Sequence, residues 1–127
     1  MQRFNKSQIK NLKDCIYRSN IHDARLEDSR YDRGQKTLYI KAVNPIHNVG
    51  ISMIFVDVKV MISIISNELG CSKTILSLTV EEDYSIMQDY TRICGERLDD
   101  SLYLLFQMFS GDELHIVFRE LVIDIAR

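Results

Sequence analysis

The longest apolar run of the sequence extends from Val49 to Ile65 and reads VGISMIFVDVKVMISII. Most of its large side chains occupy odd-numbered positions up to Phe55 (Ile51, Met53, Phe55) and even-numbered positions from Val56 onward (Val56, Val58, Val60, Ile62, Ile64), with Asp57 at the change. Successive side chains of a strand point to opposite faces, so this change of phase predicts a β-bulge, a sharp bend or two strands joined by a tight turn. Because the run contains charged residues and is shorter than a typical membrane-spanning helix, we expect it to form the centre of a β-rich core.

A second segment near the end of the chain, residues 116–126, repeats this design. In the central run, Phe55 precedes Asp57 by two positions. In the second segment Phe118 precedes Glu120 by the same spacing, and the apolar phase again changes beside the acid. A carboxylate at each change suits a bend at which water reaches the side chain. We therefore expect bends in both segments, with a structural repeat as a hypothesis.

Length and charge indicate a single domain over residues 1–127. A chain of 127 residues can form a self-sufficient core, and one proline with five glycines argues against linkers. The net charge of −2 comes from 16 basic and 18 acidic residues that are scattered along the chain, so no basic block exists to contact phosphate backbones. We expect no nucleic-acid binding and no membrane binding.

The three cysteines, Cys15, Cys71 and Cys94, lie far apart and form no CxxC pair. An odd number of isolated cysteines is typical of reduced, buried thiols rather than of a disulfide framework. The first 19 residues have no apolar segment of the kind that a signal peptide requires. These features predict a cytoplasmic protein.

Hydrophobic periodicity predicts two short helices among several strands. Ile9, Leu12 and Ile16 recur at helical spacing in the first helix, which Asn5 or Ser7 can cap. Most links between strands are too short for crossovers, so the strands are predicted to be antiparallel. The predicted elements are a helix over Ser7–Ser19, strands over His22–Tyr31, Lys36–Val43, Val49–Ile65 and Thr74–Val80, a helix over Asp83–Cys94, and strands over Leu102–Phe109 and Glu113–Ala126.

The expected fold class is mainly β (α+β), an antiparallel β-sandwich or partly open barrel of six to eight strands with two short helices. A flatter α+β sheet covered by both helices is the main alternative. The sequence of residues 83–94 is compatible with either a helix or a strand. The spacing of its apolar residues and the position of Gly95 as a C-cap favour a helix. The final hairpin has apolar residues on both faces, which predicts a central and covered position.

Four segments of the chain follow one another in a recognisable order: HDARLEDSRYD, LYIKA, ISMIFVDVKVMIS and, late in the chain, FQMFSGDELHIVFRELVI. Over residues 21–66 and 102–125 this order resembles a loose group of small, mostly uncharacterised bacterial cytoplasmic β-rich proteins with an early His-Asp pair. The matching positions are His22, Asp23, Leu26, Tyr31, Phe55 and Val58, and the tryptophan that usually follows the central strand is absent. Some members look like immunity proteins that neutralise toxins of neighbouring bacteria, and this role is what the resemblance implies.

The adjacent pair His22 and Asp23 is the feature closest to a catalytic site. Such a pair can bind a metal or relay a proton, but the phosphohydrolases that use it need a second His and a second Asp at set distances. His47 lies in a loop and His115 alternates with apolar residues on the last strand, so neither completes the set. We therefore expect His22 or Asp23 to stabilise the corner between the first helix and the first strand by bonding backbone amides.

The first hairpin carries a second candidate site, in which aromatic side chains and arginines are mixed. Arg30, Tyr31, Arg33 and Tyr39 have the composition of many protein-binding surfaces. Exposed strand faces have the same composition without any partner, so both interpretations stay open.

Acidic residues gather at positions 81–83, 99–100 and 112–113. Three acids before a helix are favourable charges near its N-terminus. The other two groups lack the closely alternating oxygen ligands of a calcium loop, so we interpret them as solvated turns.

No catalytic or cofactor motif occurs in the sequence. We expect a non-catalytic intracellular protein that acts through protein–protein binding, without cofactor or metal, and homodimer formation through an edge strand is also open. The candidate binding residues are His22, Asp23, Arg30, Tyr31, Arg33 and Tyr39. The alternatives are a small hydrolase or ligand-binding domain that uses His22 and Asp23, and a structural subunit of a larger assembly.

Overall fold

A computed structural model describes residues 1–66, 73–95 and 98–127, without the side chains at positions 86, 90, 91, 93 and 94. The described residues form seven strands, two α-helices and a short 3₁₀ turn. The elements are β1 (Gln2–Phe4), the 3₁₀ turn (Lys6–Gln8), α1 (Ile9–Arg18), β2 (Arg25–Asp32), β3 (Thr37–Asn44), β4 (Val49–Ile64), β5 (Ile75–Glu81), α2 (Ser85–Cys94), β6 (Leu102–Met108) and β7 (Glu113–Ala126).

These strands belong to one antiparallel sheet with the order β2-β3-β4-β7-β6-β5, and β1 pairs with β7 beyond the end of β6. The sheet curls until its two edges meet, because Arg25 of β2 forms an antiparallel bridge with Thr74, just before β5. Backbone hydrogen bonds of 2.8 and 2.9 Å join residues 23–26 to residues 73–75 at this seam. The mainly β (α+β) fold class is thus confirmed, and the seam matches the partly open barrel.

At Asp57, the position of β4 that points into the core changes from the odd-numbered Phe55 to the even-numbered Val58. The Asp57 backbone has a φ of 56°, and the register of β4 against β7 shifts between Val58 and Val60. An extra residue in one strand of a pair forms a β-bulge, which bends the strand. Phe55 and Val58 consequently pack in the inner core, whereas Val60 packs in a second cluster on the outer face. The change of phase in the sequence thus marks a bend at Asp57, and the bulge follows it between Val58 and Val60.

β7 bends opposite this bulge and shows its own change of phase. Ile116 and Phe118 are buried in the inner core before the bend, and Leu121 and Ile123 are buried there after it. The two segments with similar sequence patterns thus pair with each other, β4 against β7. β7 lies between β4 and β6 and is buried on both faces, which confirms its predicted central position.

Aromatic and aliphatic side chains fill the interior of the curled sheet. The rings of Phe106 and Phe118 meet Phe55 edge to face, at centroid distances of 6.2 and 4.9 Å. All three side chains are almost completely buried. The buried side chains that α1 adds to this core are Leu12, Cys15 and Ile16, and the partly buried Ile9 packs against it.

α2 packs on the outer face of the sheet over β4, β6 and β7. Met87 of this helix is fully buried in the outer cluster, together with Val60 and Tyr103. The helical interpretation of residues 83–94 is thus confirmed. Gly95 follows with a φ of 69°, the left-handed conformation that suits a helix end.

The sequence and the structure differ at the ends of some elements. β1 is not predicted, because three residues are too few for a strand pattern. β2 begins at Arg25 and not at the predicted His22, since Asp23 adopts a φ of 69°, which is incompatible with a strand. The first helical segment starts as predicted, with Asn5 accepting a backbone N–H of the first turn at 3.0 Å. The break predicted at residues 67–72 lies outside the described residues.

Cys15 is the cysteine whose side chain the structure describes. It is buried and not in a disulfide, and burial raises the pKa of its thiol. This agrees with the predicted reduced, buried thiols, while Cys71 and the side chain of Cys94 lie outside the described part of the chain. Neither of the two described helices is long and apolar enough to cross a membrane.

Candidate functional site

A groove of about 730 Å³ runs between α1 and β5. Ile16 of α1 and Leu78 of β5 are buried along it, whereas Tyr17 and Leu76 are exposed at its sides, Tyr17 by 89%. Cavities of this size are typical of binding sites. The helix and the strand thus form a concave, partly apolar surface that is open to solvent.

β5 is an edge strand along this groove. β6 pairs with one side of β5. On the other side, the backbone hydrogen bonds of the described chain involve Ile75, which bonds to Asp23 and Ala24 at the seam. From Leu76 to Val80, that side has no strand partner among the described residues, and these residues line the groove. An open strand edge can pair with a further strand through its N–H and C=O groups.

His22 and Asp23 line the same groove, together with His47. His22 Nδ1 lies 3.5 Å from Asp23 Oδ1, and the two side chains are 64% and 46% exposed. An exposed pair at this distance stabilises the fold little. Within the described ranges, no group of three His, Cys, Asp or Glu side chains is arranged to hold a metal ion.

The corner between α1 and β2 is stabilised by Asn44, a residue that the sequence does not single out. Asn44 is 1% exposed, and its Nδ2 donates to the carbonyl oxygens of Asn20 and His22 at 2.8 and 3.2 Å. Its Oδ1 accepts the N–H groups of Ile46 and His47 at 3.0 and 3.2 Å. The corner role expected for the side chains of the His-Asp pair therefore belongs to Asn44, because a side-chain amide both donates and accepts.

The other predicted binding residues lie on the first hairpin, away from the groove. Arg30 and Tyr39 are cross-strand partners on the outer side of β2 and β3, with the guanidinium 4.5 Å from the ring centre. Tyr31 packs on the core, and Arg33 is exposed in the following turn. At about 3.3 Å per residue, Arg30 lies on the order of 20 Å along the strand from Asp23. The predicted binding residues thus form two separate groups.

A buried hydrogen-bonded array under α2 is a feature that the sequence analysis misses. Tyr103 Oη lies 2.5 Å from His115 Nδ1, and His115 Nε2 lies 2.9 Å from Glu113 Oε2. Tyr103 and His115 are 2% and 3% exposed, and burial together with the charges of Glu81 and Glu113 raises the pKa of Tyr103. In the described structure neither ring lines either main cavity. We therefore interpret the array as a structural connection between β6 and β7.

Each of the three acidic groups contains a carboxylate with a defined partner, and Glu113 of the third group is the one that contacts His115. Asp83 accepts the N–H of Ser85 at the start of α2 at 3.0 Å, and this bond lowers the pKa of its carboxyl group. Asp100 accepts a hydrogen bond from the Lys59 ammonium, which lowers the pKa of Asp100. Asp83 is thus part of the start of α2, and Asp100 is part of an ion pair that joins a loop to β4.

Comparisons with protein-family models, with curated proteins and with solved structures found no match. A function must therefore be inferred from the geometry of the molecule itself.

Proposed function

We propose that this protein is a non-catalytic cytoplasmic protein that binds an extended segment of another protein along β5. In this mode the segment adds a strand beside β5 and is held by backbone hydrogen bonds, while its alternate side chains enter the groove. The observation that carries the proposal is the edge from Leu76 to Val80, which has no strand partner in the described chain and borders a groove walled by α1.

The composition of β5 supports this use of its edge. Edge strands are commonly protected against pairing by lysine, by proline or by charges that point inward. β5 reads ILSLTVE and contains neither lysine nor proline, and its one charged residue, Glu81, comes at the end. A strand of this composition can accept a partner strand without placing a charge in the new interface.

Exposed apolar side chains near the groove can anchor the partner. Tyr17 is 89% exposed on α1, Leu76 is 40% exposed on β5, and Ile46 is 74% exposed in the loop that reaches the groove through His47. Exposed apolar groups that cluster beside a groove are typical of interaction sites. Tyrosine in particular is enriched among the residues that contribute most to binding.

Toxin immunity is the specific role that we propose. It is supported by the resemblance of residues 21–66 and 102–125 to small bacterial proteins of that kind. An immunity protein requires a binding surface and no catalytic centre, so a groove beside an open strand edge is sufficient for it. A cytoplasmic location is part of the proposal and is supported by the reduced, buried Cys15.

A peptide-display selection tests the binding mode. Random extended peptides are selected on the folded protein, and the enriched peptides are titrated by fluorescence polarisation. We expect bound peptides to protect the backbone amides of residues 76–80 from hydrogen exchange. Tyr17→Ser and Leu76→Lys should each weaken binding about tenfold or more. Tyr39→Ser is the matched control, because Tyr39 lies on the first hairpin and outside the groove.

Three results would overturn strand addition by a partner. The first is a selection in which no peptide protects residues 76–80. The second is a loss of affinity in Tyr39→Ser without any loss in the groove variants, which would move the site to the first hairpin. The third is a dimer mass in sedimentation equilibrium that becomes a monomer mass in Leu76→Lys, because a second copy of the chain would then occupy the edge. A stable assembly larger than a dimer would favour a structural subunit instead.

A hydrolase or ligand-binding domain built on His22 and Asp23 is the second candidate. One observation favours it, because both side chains line the same groove as His47. Calorimetry with Zn²⁺ and Mn²⁺, followed by an assay with a chromogenic phosphate ester, tests this candidate. Metal-dependent turnover that is lost in His22→Gln would support it, and the absence of metal binding together with the absence of turnover would overturn it.

A further inference from the structure

A second cavity, of about 470 Å³, lies inside the curled sheet, between β2 and β3 on one side and β4, β6 and β7 on the other. Its opening follows from the short seam between the sheet edges. In the described chain, β2 and the β5 side of the sheet are bonded to each other only around Arg25 and Thr74, and the two edges separate beyond this point. A fully closed barrel of this size would pair these edges and fill its interior with side chains.

The wall of this cavity is largely apolar. Ile40, Ile75 and Phe106 line its deeper part and are each 3% exposed or less. Nearer the opening, Met61 shares a face with its cross-strand partner Ile116, which belongs to the inner core, yet Met61 is 41% exposed. An apolar surface that remains open inside a barrel is a typical setting for a small-molecule site.

Two cationic side chains line the cavity, Arg30 and Lys73, and the Arg30 guanidinium lies against the ring of Tyr39, 4.5 Å from its centre. Asp112 Oδ1 accepts the N–H of Ser66 at 2.7 Å, and Glu113 Oε2 lies 2.9 Å from His115 Nε2. Both carboxylates of the opening are thus engaged. Lys73 also lines the cavity, and among the described residues no carboxylate lies within ion-pair distance of its ammonium group.

From this arrangement we infer that the cavity binds a small amphipathic carboxylic acid. The apolar body of the ligand lies against Ile75 and Phe106, and its carboxylate meets the ammonium group of Lys73. Ser29 and Tyr31 place hydroxyl groups on the same inward face of β2, because their cross-strand partners on β3 belong to the core. A hydroxyl group can donate a hydrogen bond to a carboxylate. The cavity volume falls within the range of small-ligand sites, about 300–1,000 Å³.

Calorimetric titration with decanoate tests this site, and decanol serves as the uncharged analogue of the same chain length. We expect decanoate to bind the folded protein and decanol to bind about tenfold less tightly, because only the acid can use the ammonium group of Lys73. Lys73→Glu should weaken decanoate binding about tenfold or more. Lys41→Glu makes the same change of charge on the exposed side of β3 and should leave the affinity unchanged.

A second variant closes the opening without changing the charge. Ser63 is an exposed residue at the opening, so the large ring introduced by Ser63→Trp should block entry and abolish decanoate binding. Its far-UV circular dichroism and urea midpoint establish that the variant is folded. Tyr17→Ser, in the groove between α1 and β5, should leave decanoate binding intact, so this site is tested separately from the peptide groove.

Two results would overturn this inference. One is the absence of decanoate binding to the folded wild-type protein. The other is equal decanoate affinity in the wild type, Lys73→Glu and Ser63→Trp, which would place any binding elsewhere. NMR titration provides the location, since the amides of Ile75 and Phe106 should shift on binding and those along the α1–β5 groove from 76 to 80 should not.

Discussion

Asp57 lies opposite Arg119 where β4 and β7 bend together, with Asp57 Oδ2 3.7 Å from Arg119 Nε. The two side chains are 37% and 49% exposed, so this ion pair contributes at most about 1 kcal/mol. The backbone at Asp57 matters more, because its φ of 56° lies in the left-handed region, which aspartate tolerates better than β-branched residues do. Position 57 is thus constrained by its conformation more than by its charge.

Substitution of Asp57 tests this explanation of the bend. Asp57→Gly should change the free energy of unfolding by less than about 1 kcal/mol, because glycine adopts the same φ without strain and a weak ion pair is lost. Asp57→Val should lower the free energy of unfolding by about 1–3 kcal/mol, since a β-branched residue is strained at a positive φ. Urea unfolding of both variants measures the difference, and equal losses would contradict a conformational role.

Much of the secondary structure follows from local patterns. β7 has the predicted ends, Glu113–Ala126, because the turn before it is marked by Gly111, whose φ is 91°. The bend at Asp57 is visible in the sequence because a buried face dictates the phase of the large side chains. The partner of each strand is not visible in the same way. The pairing of β4 with β7 joins the middle of the chain to its end and depends on the packing of the whole core.

The candidate site is predictable only in part. The sequence singles out His22 and Asp23 as an adjacent polar pair, and both line the groove. The groove itself requires β5 to lie at a sheet edge beside α1, and strand order has no local signal. The proximity of Tyr103 and His115 can be predicted from the turn at residues 110–111. This turn sets the register of the final hairpin and places both side chains on one face of neighbouring strands.

Asn44 is expected to be the polar side chain whose loss destabilises the corner near His22 most. Asn44→Ala leaves two backbone carbonyls and two backbone N–H groups without their buried partner and should lower the free energy of unfolding by about 2–4 kcal/mol. Asn44→Asp should be similarly harmful, because a carboxylate cannot donate to the carbonyls. Asn11→Ala on the exposed side of α1 is the control and should change the free energy of unfolding by less than about 0.5 kcal/mol. Equal stability of the Asn44 and Asn11 variants in urea would refute the role of Asn44.

A double-mutant cycle measures the coupling between Tyr103 and His115. Tyr103→Phe leaves the buried Nδ1 of His115 without its partner and should cost about 1–2 kcal/mol. His115→Leu leaves the buried hydroxyl group of Tyr103 without a partner and should cost a similar amount. The double variant should cost less than the sum of the two, because neither polar group then remains unsatisfied. Strictly additive losses in urea unfolding would show that the two side chains do not stabilise each other.

Acid titration should reveal the contribution of Asp83 at the start of α2. The hydrogen bonds from the backbone N–H and the side chain of Ser85 hold the pKa of the Asp83 carboxyl group below its usual value, so the charged form favours the folded state. Its contribution to stability should therefore be complete above the pKa in the unfolded chain, about 3.9, and should be lost as the pH falls through the lower pKa of the folded state. Asp83→Asn can accept the same backbone bond without titrating. Wild type and Asp83→Asn should thus differ in the free energy of unfolding at neutral pH, and urea unfolding should show that this difference shrinks as the pH is lowered to about 2. A difference that stays constant with pH would show that the charge of Asp83 contributes nothing to the stability of the helix start.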